Sequence, residues 1–142
     1  RRPGELRKLA EAITPADGRL LCVFGCGGLR DRGKRPQMGK IADDLADLVV
    51  LTTDNPRHEA PAAIAAEIQA GASPTRERAR WHVELDRAAA IAWAVAEAGA
   101  DDVVIIAGKG HETVQEVAGR ELPFDDAAVA RAALAAQQPS NT

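Results

Sequence analysis

Short, uninterrupted apolar runs separated by Ala-rich amphipathic stretches constrain this chain more than any other feature. LLCVF (Leu20–Phe24), Leu48–Thr52 and DVVIIA (Asp102–Ala107) show no polar alternation, the pattern of strands buried on both faces. Such strands need helices above and below them. The segments between supply these: Pro61–Gly71, a helix capped by Asp86 and running to about Ala98, and one opened by Pro36 and running to about Ala46. A further helix is expected over Glu5–Ile13 and a last one over Asp125–Ala136. Trp81–Leu85 reads as a short strand, and Thr113–Leu122 as a hairpin turning at Ala118-Gly119. The sum is an α/β fold with a mostly parallel sheet and helices on both faces.

Length and charge narrow the function. A chain of 142 residues without internal repeats fits one domain over residues 1–142, with residues 137–142 expected as a disordered polar tail. The balance of 18 basic against 21 acidic residues, net −3, gives no electrostatic reason to expect nucleic acid or an anionic membrane as partner, so any cationic function must be local. No apolar run reaches the ~20 residues of a membrane span, and RRPGELRKLAEA at the start lacks a signal peptide's apolar stretch; the expectation is a cytoplasmic protein. Cys22 and Cys26 would lie ~13 Å apart on one face of a strand, too far to bridge, and read as reduced apolar fillers. Aromatic residues are only 3% of the chain, which argues against stacking of bases.

Polar residues gather where the strands end. In open α/β sheets ligands bind beyond the carboxyl ends of the strands, and GCGGLRDRGKRP, TDNPRHE and GKGHE all fall there. Together they offer Arg30, Arg32, Lys34, Arg35, Arg57 and Lys109 as cations and Asp31, Asp54 and Glu112 as anions. That mixture suits a zwitterion or a carboxylate-rich small molecule. Gly28-x4-Gly33-Lys34 nearly completes a Walker A loop, but Arg35 stands where Ser or Thr would hold Mg²⁺. Taken singly, the glycines could serve a tight turn, and Asp54-Asn-Pro-Arg57 could be a turn closed on its own backbone. No nucleophile accompanies His111, His58 and His82 read as ordinary loop and strand positions, and Arg76–Arg80 as a solvated charge run; no catalytic residue and no metal ligand is assigned.

Taken in order and at their intervals, FGCGGLRDRGKRPQMG, TTDNPRHEAPAAI and VVIIAGKGHE resemble the C-terminal domain of MurE-type Mur ligases, over about Gly18 to Leu134. The resemblance implies a Rossmann-like domain of an ATP-dependent ligase that adds meso-diaminopimelate to UDP-N-acetylmuramoyl-L-alanyl-D-glutamate in peptidoglycan synthesis. It implies diaminopimelate contacts for Arg30, Asp54, Asn55, Pro56, Arg57, Gly108 and Glu112, and makes Arg32 and Lys34 candidates for ATP phosphate contacts. It places ATP and Mg²⁺ mostly on a central ATPase domain, with a UDP-binding domain before it, both outside these 142 residues. By itself the chain is then expected to bind the amino acid without completing the reaction.

In two places the chain departs from that pattern. Leu29 stands where the family usually has an acidic residue, and Arg1-Arg2-Pro3-Gly4 stands where a Tyr-Ala-His-x-Pro-like segment is typical. Two further readings stay open at this point. One is a diverged, free-standing, non-catalytic binding or interaction module that keeps the pocket; the other is an independent nucleotide-binding α/β protein.

Overall fold

The computed structural model describes residues 18–26, 33–72, 80–107, 114–117, 120–123 and 126–137. The helix expected over Glu5–Ile13 and residues 138–142 of the expected tail lie outside them, whereas Gln137, expected in the tail, is the last residue of the final helix. In chain order the elements are β1 (Leu20–Phe24), α1 (Lys34–Leu45), β2 (Leu48–Leu51), α2 (Pro61–Gln69), β3 (Arg80–Val83), α3 (Arg87–Glu97), β4 (Val103–Ile106), β5 (Val114–Val117), β6 (Arg120–Pro123) and α4 (Asp126–Gln137). Each expected strand and helix in the described residues is present: β1 has the expected bounds, β2 ends one residue early, β4 is one residue shorter at each end, and β3 begins one residue earlier and ends two earlier than expected.

β1 to β4 form one parallel sheet in the order β3-β2-β1-β4, and β5 and β6 pair antiparallel as a separate hairpin. The chain therefore winds outward from β1 to β3 and then crosses back to β4. That reversal puts the crevice of a doubly wound fold beyond the ends of β1 and β4.

Strand residues alternate between two cores. Leu20, Cys22, Phe24, Val49, Leu51 and Ile105 face Met38 and Ile41 of α1 and Ile64 and Ile68 of α2. Leu21, Val23, Leu48 and Val50 face Ala90, Ile91, Ala94 and Val95 of α3, and Val129, Ala130 and Ala133 of α4 pack against the same cluster. Burial on both sides explains why these strands carry no polar alternation. At the β3 edge, His82 stacks on Trp93 with ring centroids 3.8 Å apart, while the Trp81 Nε1 donates to Asp43 on the other side at 2.9 Å. Cys26 lies just beyond β1, not within it; both thiols are free, and burial pushes Cys22 up to about 12 and Cys26 to about 11.

Helices α1 and α2 approach closely because two glycines permit it. A Cβ at Gly39 would collide with the Ile68 carbonyl, and one at Gly71 with the Pro36 carbonyl. Helix propensity alone favours Ala over Gly by about 1 kcal/mol. The contact reverses that sign: Gly39→Ala is expected to destabilise the fold by about 1–3 kcal/mol in urea unfolding, as overpacking does.

The amino edge of the sheet is held by carboxylates. Asp47 accepts from the Leu20 N–H at 2.8 Å. Asp102 accepts from the Arg19 N–H at 2.7 Å, the Gly99 N–H at 2.8 Å and the Arg19 guanidinium at 2.9 and 3.1 Å. These donors, the Arg19 N–H first, lower the Asp102 carboxyl from 3.8 to about 2. Because the folded value is the lower one, its stabilisation is complete above 3.8 and is lost as pH falls toward 2. Asp102→Asn should therefore lower stability at neutral pH and flatten its acid loss in that window, as read from urea midpoints across the range.

Candidate functional site

Every strand of the sheet ends at the same edge, and the described part of the site is built on the end of β2. Thr52 donates its N–H to the Phe24 carbonyl at 2.9 Å, keeping the β2 exit beside the β1 exit. Gly25 makes this possible, since a Cβ there would strike the Thr52 carbonyl. The chain then passes through Asp54, Asn55, Pro56 and Arg57. Asn55 and Pro56 are buried, while Asp54 and Arg57 are half-buried.

Backbone geometry aims this segment. The Glu59 N–H closes a turn onto the Pro56 carbonyl at 2.9 Å, and Arg57, at the turn's first central position, has φ 54°. Positive φ is required at that position in primed turns and is costly for a residue with a Cβ. Among the described residues Arg57 is the only non-glycine in this region. The Arg57 Nη1 also donates to the Asn55 carbonyl at 3.4 Å, so the guanidinium folds back over its own loop.

Two fully buried arginines hold the segment at both ends. Downstream, Arg35 of α1 forks onto Glu59 through Nη1 and Nη2 at 3.0 and 2.8 Å and reaches Glu67 of α2 at 3.0 Å. The Glu59 hydrogen bonds raise the Arg35 pKa further above its ordinary range. Upstream, Arg87, the first residue of α3, donates Nη1 to the Thr53 carbonyl at 3.0 Å and Nη2 to the Ala107 carbonyl at 3.2 Å. Its Nε and Nη2 fork onto Asp126 at 2.7 Å each. Thr53 precedes Asp54-Asn-Pro-Arg57, and Ala107 precedes Gly108-Lys-Gly-His-Glu112.

This arrangement sorts the sequence candidates. Asp54, Asn55, Pro56 and Arg57 sit together at the carboxyl edge, as expected there, and Lys34 is exposed at the start of α1. Arg30, Arg32, Gly108 and Glu112 lie outside the described residues. Arg35 is corrected: grouped on sequence with the ligand-facing cations, it is turned inward, because two carboxylates from the next loop and helix neutralise it away from water. An arginine so paired offers no Mg²⁺ ligand, which removes the Walker reading at its eighth position. Arg87 and Asp126 escaped the sequence reading; the available signal was a lone arginine opening an otherwise apolar, Ala-rich helix. The described residues contain no group of three or more His, Cys, Asp or Glu able to hold a metal ion, and no described helix is long and apolar enough to cross a membrane.

Comparison with known proteins agrees with this geometry. The family model for the Mur ligase glutamate ligase domain matches residues 2–110. The chain belongs to the Mur ligase family. Within it, the domain is of the MurE C-terminal type. It is 59% identical over 124 residues to a Chromobacterium violaceum UDP-N-acetylmuramoyl-L-alanyl-D-glutamate–2,6-diaminopimelate ligase, covering 87% of this chain and 24% of that protein. It is 56% identical over 138 residues to the ligase of the same name from Acidovorax sp., covering 94% of the chain and 27% of that protein. A solved structure of a ligase of that name superposes with a TM-score of 0.90 at 42% identity over 98% of this chain and 28% of its own. The chain thus spans about a quarter of the length of the relatives it matches.

Strain at Arg57 in this Mur ligase domain can be measured separately from its side-chain contacts. Arg57→Gly and Arg57→Ala lose the same guanidinium, but only glycine is relaxed at positive φ. Arg57→Gly should therefore be the more stable of the two by about 1 kcal/mol in urea unfolding.

Proposed function

We propose that this domain binds meso-diaminopimelate for a ligase that joins it, at the expense of ATP, to the D-glutamate carboxyl of UDP-N-acetylmuramoyl-L-alanyl-D-glutamate in the cytoplasm. The observation that carries the reading is an intact Asp54-Asn-Pro-Arg57 at the carboxyl edge of the sheet, with its arginine held at φ 54° on a turn anchored at both ends. The names of the similar ligases, which specify 2,6-diaminopimelate, support the same choice.

Ligand chemistry fits the residue types. Diaminopimelate carries two carboxylates and two amines, one of which must stay clear of the reaction. Arg57 and Arg30 each supply a planar fork for a carboxylate, and Glu112 an acceptor for the non-reacting ammonium, with Asn55 and Gly108 completing the pocket. Lysine lacks one carboxylate, and an arginine left without its anion in a desolvated site rejects such an analogue by as much as ~10⁴. In this reading Arg32 and Lys34 approach ATP phosphates. The resemblance to Mur ligases assigns Mg²⁺ mostly to the ATPase domain of the longer ligase, and no step here passes through it.

Calorimetric titration of the domain with meso-diaminopimelate, with L-lysine alongside, tests this. Saturable binding of diaminopimelate and none of lysine is expected. Arg57→Ala should weaken binding tenfold or more, since a hydrogen bond to a charged group contributes about 1.5–3 kcal/mol. Equal binding of the two amino acids would overturn the specificity. Binding unaffected by Arg57→Ala would overturn the site.

A further inference from the structure

Arg87 lies outside every residue expected to touch a ligand, yet it joins the exits of two strands, β2 and β4. One guanidinium nitrogen holds the Thr53 carbonyl, where the Asp54–Arg57 segment leaves β2, and another holds the Ala107 carbonyl, where the 108–112 segment leaves β4. β1 lies between these two strands in the sheet, so no ladder hydrogen bond connects them directly. Arg87 spans that gap. Its own position is fixed twice, by the fold of α3 behind its capping Asp86 and by the fork onto Asp126 at the start of α4.

We propose that Arg87, oriented by Asp126, is a positioning residue for the amino-acid site: it fixes the exit of β2, from which Arg57 is carried, relative to the exit of β4 at Ala107. The assignment rests on the diaminopimelate reading above. A ligand with charges at both ends is recognised by groups at a fixed spacing, and that spacing here crosses two strand ends. A guanidinium is suited to the task because its planar donors point in several fixed directions, whereas an ammonium is a single point charge. Arg35 completes the frame by pinning Glu59 beyond Arg57, so the segment is tied to α1 on one side and to β4 on the other.

The test pairs a ligand readout with one that needs no ligand. Arg87→Met combined with Asp126→Leu removes the ion pair as a unit, which avoids leaving an uncompensated buried charge. Asp126→Asn, which keeps the shape but loosens the fork, serves if the double variant does not fold. In hydrogen exchange the amides of 54–59 and the Ala107 amide, which is bonded to the Val23 carbonyl, should lose protection together. In titration the affinity for meso-diaminopimelate should fall on the order of tenfold, the scale that small misplacements produce. Val95→Ala, on the same helix but facing the core, is the control: it should lower the melting temperature while leaving both readouts unchanged. Unaltered exchange at 54–59 or at Ala107, unaltered affinity, or equal effects from Val95→Ala would overturn the proposal. Failure of the unmodified domain to bind diaminopimelate would instead count against the ligand reading, and the exchange experiment would still decide the coupling.

Discussion

The carboxyl edge of the sheet depends on one buried cation. A parallel sheet leaves its last carbonyls unpaired at the ends of the strands, and where loops cover that edge those oxygens need donors. Arg87 supplies them to Thr53 and Ala107 at once, and Asp126 neutralises the charge that results. Without the guanidinium, two buried carbonyls and a carboxylate would each lose a partner. With it, the ends of β2 and β4, the start of α3 and the start of α4 share a single node.

Such a node is an expensive way to gain stability. Taking an arginine and a carboxylate out of water costs several kcal/mol per ion, and well-packed apolar residues often do as well. Arg35 with Glu59 and Glu67 repeats the pattern on the opposite face, again with its guanidinium fully buried. What the apolar alternative cannot provide is direction. Both arginines act on the same short segment, one at Thr53 and one at Glu59, and between those anchors Arg57 is held in a backbone conformation that the chain alone would not choose.

Much of the fold was legible in the sequence. LLCVF and VVII read as two-sided strands because both faces of the sheet are covered, and Asp86 read as a cap because its side chain accepts from Ala88 and Ala89. The Asp54–Arg57 cluster was legible because Pro and Asn punctuate the exit from a buried strand. What did not show was pairing across distance. Arg35 looks like its neighbours Arg32 and Lys34 until Glu59, 24 residues away, is brought to it, and Arg87 meets Asp126 across 39 residues. Residue type marks a charge, and only the tertiary fold says whether it faces water, a ligand or another charge.

The two edges of the sheet make the same point with opposite signs. At the amino edge the groups to be satisfied are N–H donors, and the residues that meet them are acids, Asp47 and Asp102. At the carboxyl edge the groups are carbonyls, and an arginine meets them. Strand polarity therefore sorts charge along the strand direction before any ligand is considered. A site that must hold carboxylates gains from being built at the edge where the backbone already recruits cations. On the reading proposed here, Arg87 satisfies the sheet and Arg57, four residues beyond Thr53, extends the same cationic edge outward to the substrate.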